Sequence, residues 1–124
     1  MKSKQTINSA FISLLIFAQS VVLADECNLP TPDGTVTNPS PPSVQGVITK
    51  ASPGKITVSN KNEKNIITYE NETKLFTVYG GIVFAREIMV GQHVLVWYEG
   101  CRKSTKPNAV VIQFCSTGAE PCIK

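Results

Sequence analysis

A chain of 124 residues with 12 lysines and arginines against 9 aspartates and glutamates has a formal charge of +3. That is too close to neutral for a surface that grips nucleic acid, and the length bounds the fold to one domain with a small core. A single histidine leaves little for acid–base or nucleophilic chemistry.

Residues 1–24 read as a cleavable secretory signal. Lys2 and Lys4 give a basic start, "AFISLLIFA" a short apolar run, and Val22 and Ala24 the −3 and −1 positions, so cleavage is expected between Ala24 and Asp25. The run through Ala24 is broken by Ser13, Gln19 and Ser20 and falls short of the roughly 20 residues a membrane span needs. Glu26 stands where lipidation of Cys27 would need a small residue. No membrane anchor is therefore expected after cleavage. Removing Lys2 and Lys4 leaves 10 basic residues against 9 acidic ones, a net charge of about +1.

Residues 25–43 form a proline-rich arm: "NLPTPDGTVTNPSPPS" holds five of the eight prolines and has no apolar periodicity. The pattern changes at Val44. "VQGVITKA", "KITVS", "NIITYE", "HVLVWYE" and "NAVVIQF" are short runs rich in Val, Ile, Thr and Tyr, bounded by turn signals such as "SPG" and "NKNEK", and they predict five strands. Between the third and fourth, "TKLFTV" suggests a short extra strand. "FAREIMVG" suggests one or two helical turns closed by Gly91. The expected domain is all-β, a small five-stranded OB-like barrel over 44–115 with one short helical turn before strand four.

"GVITKASPGKITVSN", "ETKLFT", "IMVGQHVLVW" and "NAVVIQF" resemble, over residues 44–114, a group of small exported bacterial OB-like barrel domains of unknown function. The resemblance implies the fold and an export route, periplasmic or secreted. It implies no activity and no functional residues.

Four cysteines in a small exported chain imply two disulfides; close C-x-x-C pairs of the zinc kind are absent. If the last hairpin turns near Ser104 and Thr105, Cys101 lies opposite Asn108 and Cys115 opposite Val94. Cys101 and Cys115 are then about 23 Å apart, beyond the ~7 Å a disulfide spans. The expected pairs are Cys27–Cys101, which tethers the arm, and Cys115–Cys122, which closes a local loop in the 116–124 tail.

Met89, His93 and Trp97 recur at intervals of four, and periplasmic copper-binding barrels use these residue types. On a strand, however, His93 and Trp97 lie about 13 Å apart, and Met89 is the one methionine beyond residue 1. Met89 and His93 are the candidate soft-metal ligands; no cofactor is expected. Alternation turns Val94 and Val96 inwards and His93, Leu95 and Trp97 outwards. Leu95, Trp97 and the adjoining Tyr98 are the candidate partner-binding patch, which residues 30–42 of the arm are expected to cover in part. Tyr79 and Phe84 are expected to pack the barrel end. Glu70 and Glu72 could share a strand face as an acid–base pair, but a solvated strand end is the plainer account. Lys55, Thr57, Ser59 and Tyr69 make a face too poor in aromatics for nucleic acid or glycan. The leading expectation is an exported, non-enzymatic binding module for a protein or cell-envelope partner. The alternatives are a copper carrier and a structural or stress accessory of the envelope.

Overall fold

The computed structural model describes residues 26–102, 107–115 and 122. The expected signal sequence, the expected turn at Ser104 and Thr105 and the tail around Gly118 and Pro121 lie outside these residues.

Six strands form one sheet: β1 (Val44–Ser52), β2 (Lys55–Asn60), β3 (Glu63–Thr68), β4 (Lys74–Thr77), β5 (His93–Tyr98) and β6 (Ala109–Phe114). Their order is β3-β2-β1-β5-β6-β4. All neighbours are antiparallel except β4 and β6, which run parallel. Pro53 and Gly54 (φ 76°) turn β1 into β2, proline presetting its own φ and glycine taking the positive one. "TKLFTV" supplies β4, the extra strand.

The all-β class holds, but the expected five-stranded barrel is replaced by an open six-stranded sheet with β3 and β4 at its edges. The cause is local. After Thr68 the chain leaves the ladder through Tyr69–Thr73 and re-enters on the far side of β6. Among the described residues, the end of the β3 edge meets the residue before β6 at one bridge, Thr68 opposite Asn108, where the Thr68 N–H donates to the Pro107 carbonyl at 3.0 Å. The Thr68 hydroxyl donates to Asn108 Oδ1 at 2.9 Å, and the Thr73 hydroxyl to the Ala109 carbonyl at 2.8 Å.

The helical segment before β5 is one short turn as expected, a single 3-10 turn over Ala85–Glu87 with Ile88 already extended. Gly91 does not cap it. Gly91 takes φ 99° and donates to the Ile48 carbonyl at 2.8 Å, while Ile48 donates to Gln92 at 2.9 Å. The β1 backbone, irregular between Ile48 and Lys50, needs these partners, and the segment turns at Gly91 to meet them instead of continuing as a helix.

The last hairpin is also one residue out of the expected register. Val94 faces Phe114, and the Cys115 N–H donates to the His93 carbonyl. Val110 is the extra residue between the Trp97–Val111 and Tyr98–Ala109 pairs, a bulge that leaves the pairing two residues from the expected one on the Tyr98 side and one residue from it on the Val94 side. Both disulfides form as expected, Cys27–Cys101 and Cys115–Cys122, with Cα separations of 5.4 and 5.3 Å.

Alternation along β5 divides the interior in two. Val94, Val96 and Tyr98 join Val44, Ile48, Ile56, Val58, Ile67, Ala109, Ile112 and Phe114 in the main core. Trp97 faces the other way, with Phe76 of β4 and Val111 of β6.

Candidate functional site

The second cluster is roofed by the arm. Leu29 packs against Phe76, Trp97 and Val111, and Pro30 is buried. The Ser40 N–H donates to the Asn28 carbonyl at 2.8 Å, and the Asn28 N–H to the Ser40 hydroxyl at 2.9 Å, so the arm folds back on itself. At its tip, Asp33 accepts from the Thr31 hydroxyl at 2.7 Å and from the Thr35 N–H and hydroxyl at 3.1 and 2.9 Å. These bonds, the Thr31 hydroxyl foremost, hold its carboxyl below the ordinary value. Gly80 (φ 95°) lies against the Pro32 carbonyl, 2.5 Å from where a Cβ would stand. The arm is a fitted strap: within the expected 30–42, Ser40 reaches the Trp97 indole nitrogen, and the side chain that packs on the Trp97 cluster is Leu29, just before that range.

That covering decides what the sequence-derived patch can do. Trp97 and Tyr98 are 2% and 3% exposed and Leu95 is half-buried, so the three do not form an open face. The indole Nε1 donates to the Ser40 carbonyl, and the Tyr98 N–H to the Ser43 hydroxyl at 3.0 Å. Burying an indole removes on the order of 200 Å² from water, about 5 kcal/mol at the usual coefficient. These residues hold the strap down.

Met89 and His93 flank the Gly91–Gln92 turn. Met89 is exposed, with its N–H bonded to Gln92 Oε1 at 2.9 Å, and His93 pairs with Val47 across the ladder. Among the described residues no three His, Cys, Asp or Glu groups gather around a point that could hold a metal ion, and all four thiols are in disulfides. Glu70 and Glu72 are both exposed; Glu70 lines a cleft that Glu72 does not.

The exposed apolar residues lie elsewhere. Seven large apolar side chains are exposed among the described residues. Six of them, Val78, Tyr79, Ile82, Phe84, Met89 and Val90, belong to the connection between β4 and β5. Tyr79 and Phe84 thus stand outside the core, contrary to expectation. A turn held by the Thr77 hydroxyl, which accepts from Gly81 at 2.9 Å and Tyr79 at 3.3 Å, lifts the Tyr79 ring off the sheet. Ile82 then bridges to Phe76, and Val83 donates to Leu75. Val83 packs on the core, so the next residue, Phe84, points out. The Phe84 N–H donates to the Glu87 carboxylate at 2.9 Å, and the Arg86 guanidinium stands 4.7 Å over its ring.

Beside this strip lies an open cleft of about 600 Å³ between the β1–β2 turn, the Tyr69–Thr73 crossing and the 3-10 turn. Tyr69, Leu75 and Ile88, all packed on the main core, give it an apolar floor. Glu70, Asn71 and Arg86 supply the polar groups around it. A smaller cleft of about 320 Å³ lies where the arm enters β1, with Asn65 in its wall. Asn65 Nδ2 is buried there without a hydrogen-bond partner among the described residues. Sequence reasoning missed both places. The signal for the larger one was the density of apolar residues in "YGGIVFAREIMV", too irregular for strand or helix and too apolar for a solvated loop.

Comparison with known protein families, with curated proteins and with solved structures finds no match to this chain.

Proposed function

We propose that this is an exported, non-enzymatic binding module that docks a partner protein through the connection between β4 and β5. The observation that carries it is the gathering of six exposed large apolar side chains in residues 78–90. Contiguous exposed apolar surface on a small protein is characteristic of interaction sites. The support beneath it is rigid: Ile82 and Val83 are tied to β4, and Val83 and Ile88 pack on the core. Partner surfaces of matching apolar character gain affinity from such a patch without the ordering cost of a loose loop.

The OB-like reading belongs to this proposal. The Thr68–Asn108 bridge and the parallel β4–β6 pair support a sheet that curls towards closure in the manner of the exported domains the sequence resembles. Two disulfides and the absence, among the described residues, of a helix long and apolar enough to cross a membrane are compatible with a periplasmic or secreted protein.

The test is capture from a periplasmic or secreted fraction by the oxidised protein and by an Ile82→Asp/Met89→Asp variant of unchanged melting temperature. The wild type should retain one defined protein that the variant loses. Equal capture by both, or self-association through the patch with no other partner, would remove this reading. So would hydrolysis of an envelope substrate that disappears on Glu70→Ala.

A further inference from the structure

We infer that the 600 Å³ cleft takes an extended peptide segment with a carboxylate beside an apolar side chain, the carboxylate going to Arg86. The inference rests on the protein-partner reading and names what the partner presents.

The volume falls in the range of small-ligand sites, which pair an apolar lining with a few placed polar groups. Tyr69, Leu75 and Ile88 are only half-buried although they pack on the core. An apolar side chain laid on them finishes their burial. Arg86 comes ready for an anion. Its guanidinium is held over the Phe84 ring at 4.7 Å, and among the described residues it has no ion pair. The neighbouring acid, Glu87, is taken up by the Phe84 N–H.

Glu70, also lining the cleft, sharpens the choice. A bare anion in the cleft would be repelled by Glu70 while Arg86 attracted it. A peptide offers backbone N–H groups for Glu70 to accept and a carboxylate for Arg86, which suits both. A sugar fits less well. Stacking needs an open aromatic face, and the one aromatic ring that lines the cleft, Tyr69, is half-buried against the core. Ile82, Met89 and Val90 of the same β4–β5 connection are exposed as well; they offer nothing to hydroxyl groups but suit further apolar residues of a peptide.

The probe is an array of immobilised short peptides in which Leu or Phe adjoins Asp or Glu, beside the same peptides carrying Asn or Gln. The oxidised protein should favour the acidic members by about fivefold, the factor an exposed ion pair can supply. Arg86→Gln should abolish that preference while the Trp97 emission and melting temperature stay as in the wild type. Equal binding of acids and amides, no binding to either, or a preference that survives Arg86→Gln would overturn the inference. So would a neutral oligosaccharide that occupies the cleft instead. Failure on the array with partner capture still sensitive to Ile82→Asp/Met89→Asp removes the peptide inference alone. Failure of both removes the partner reading as well.

Discussion

The indole nitrogen of Trp97 donates to the carbonyl oxygen of Ser40 at 2.8 Å, across 57 residues of chain. This bond fixes the arm between its two ends, Cys27 on Cys101 and Ser43 on β5. It makes Trp97 a reporter of whether the strap is down.

Deleting residues 28–42 should uncover the indole. The expected outcome is a red-shifted Trp97 emission together with a lower melting temperature, read by fluorescence during thermal unfolding. Trp97→Phe keeps a ring in place but loses the donor, and should cost about 1 kcal/mol from the hydrogen bond alone in urea unfolding.

Gly80 meets the strap at a second place, the Pro32 carbonyl. Alanine there would place a Cβ 2.5 Å from the Pro32 carbonyl at φ 95°, so both backbone strain and a clash act. Gly34 at the strap tip has φ 73° but open space around it. Gly80→Ala should therefore destabilise by about 1–3 kcal/mol and shift Trp97 emission. Gly34→Ala should cost less and leave the emission alone.

The two disulfides close loops of very different length, with separations of 74 and 7 residues. In the chain-entropy account the long one contributes about 4.5 kcal/mol and the short one about 2.5 kcal/mol. Cys27→Ser/Cys101→Ser should thus lower stability by clearly more than Cys115→Ser/Cys122→Ser in denaturant titrations.

Burial raises the Tyr98 phenol above its ordinary 10.0. Folding favours the neutral phenol, so this contribution is full below the unfolded value and is lost as the pH climbs through 10 towards the folded value. Stability should fall on that alkaline limb, and Tyr98→Phe should flatten the fall. Urea midpoints measured from about pH 9 to 12 check it.

Much of the architecture was legible because alternation is a short-range signal. "HVLVWYE" gave the two faces of β5 correctly, and strand proximity with loop reach gave both disulfides. What failed needed long-range information. The parallel β4–β6 pair depends on where the chain re-enters after Tyr69–Thr73, which no periodicity encodes. Gly91 looked like a helix cap because its demand for positive φ is visible, while the Ile48 carbonyl it serves is far away in sequence. The exposed strip was missed for a related reason: an apolar residue in an irregular segment reads as core by default, and only the Thr77 turn and the inward Val83 show that Tyr79 and Phe84 point out.

The ring closed by Cys27–Cys101 contains five of the six strands, and β6 lies outside it. Yet β6 stands between β5 and β4, and among the described residues no other strand pairs with β4. Phe76, Trp97 and Val111 meet as one residue from each of β4, β5 and β6. A chain synthesised from its N-terminus can therefore join its ends into a ring while a slot one strand wide stays open at the edge of β5. Until the last strand arrives, that slot offers unpaired backbone to any extended chain nearby. Closing the ring does not fill this slot: the nascent protein is exposed to strand addition by a stranger until β6 docks, however early the disulfide forms.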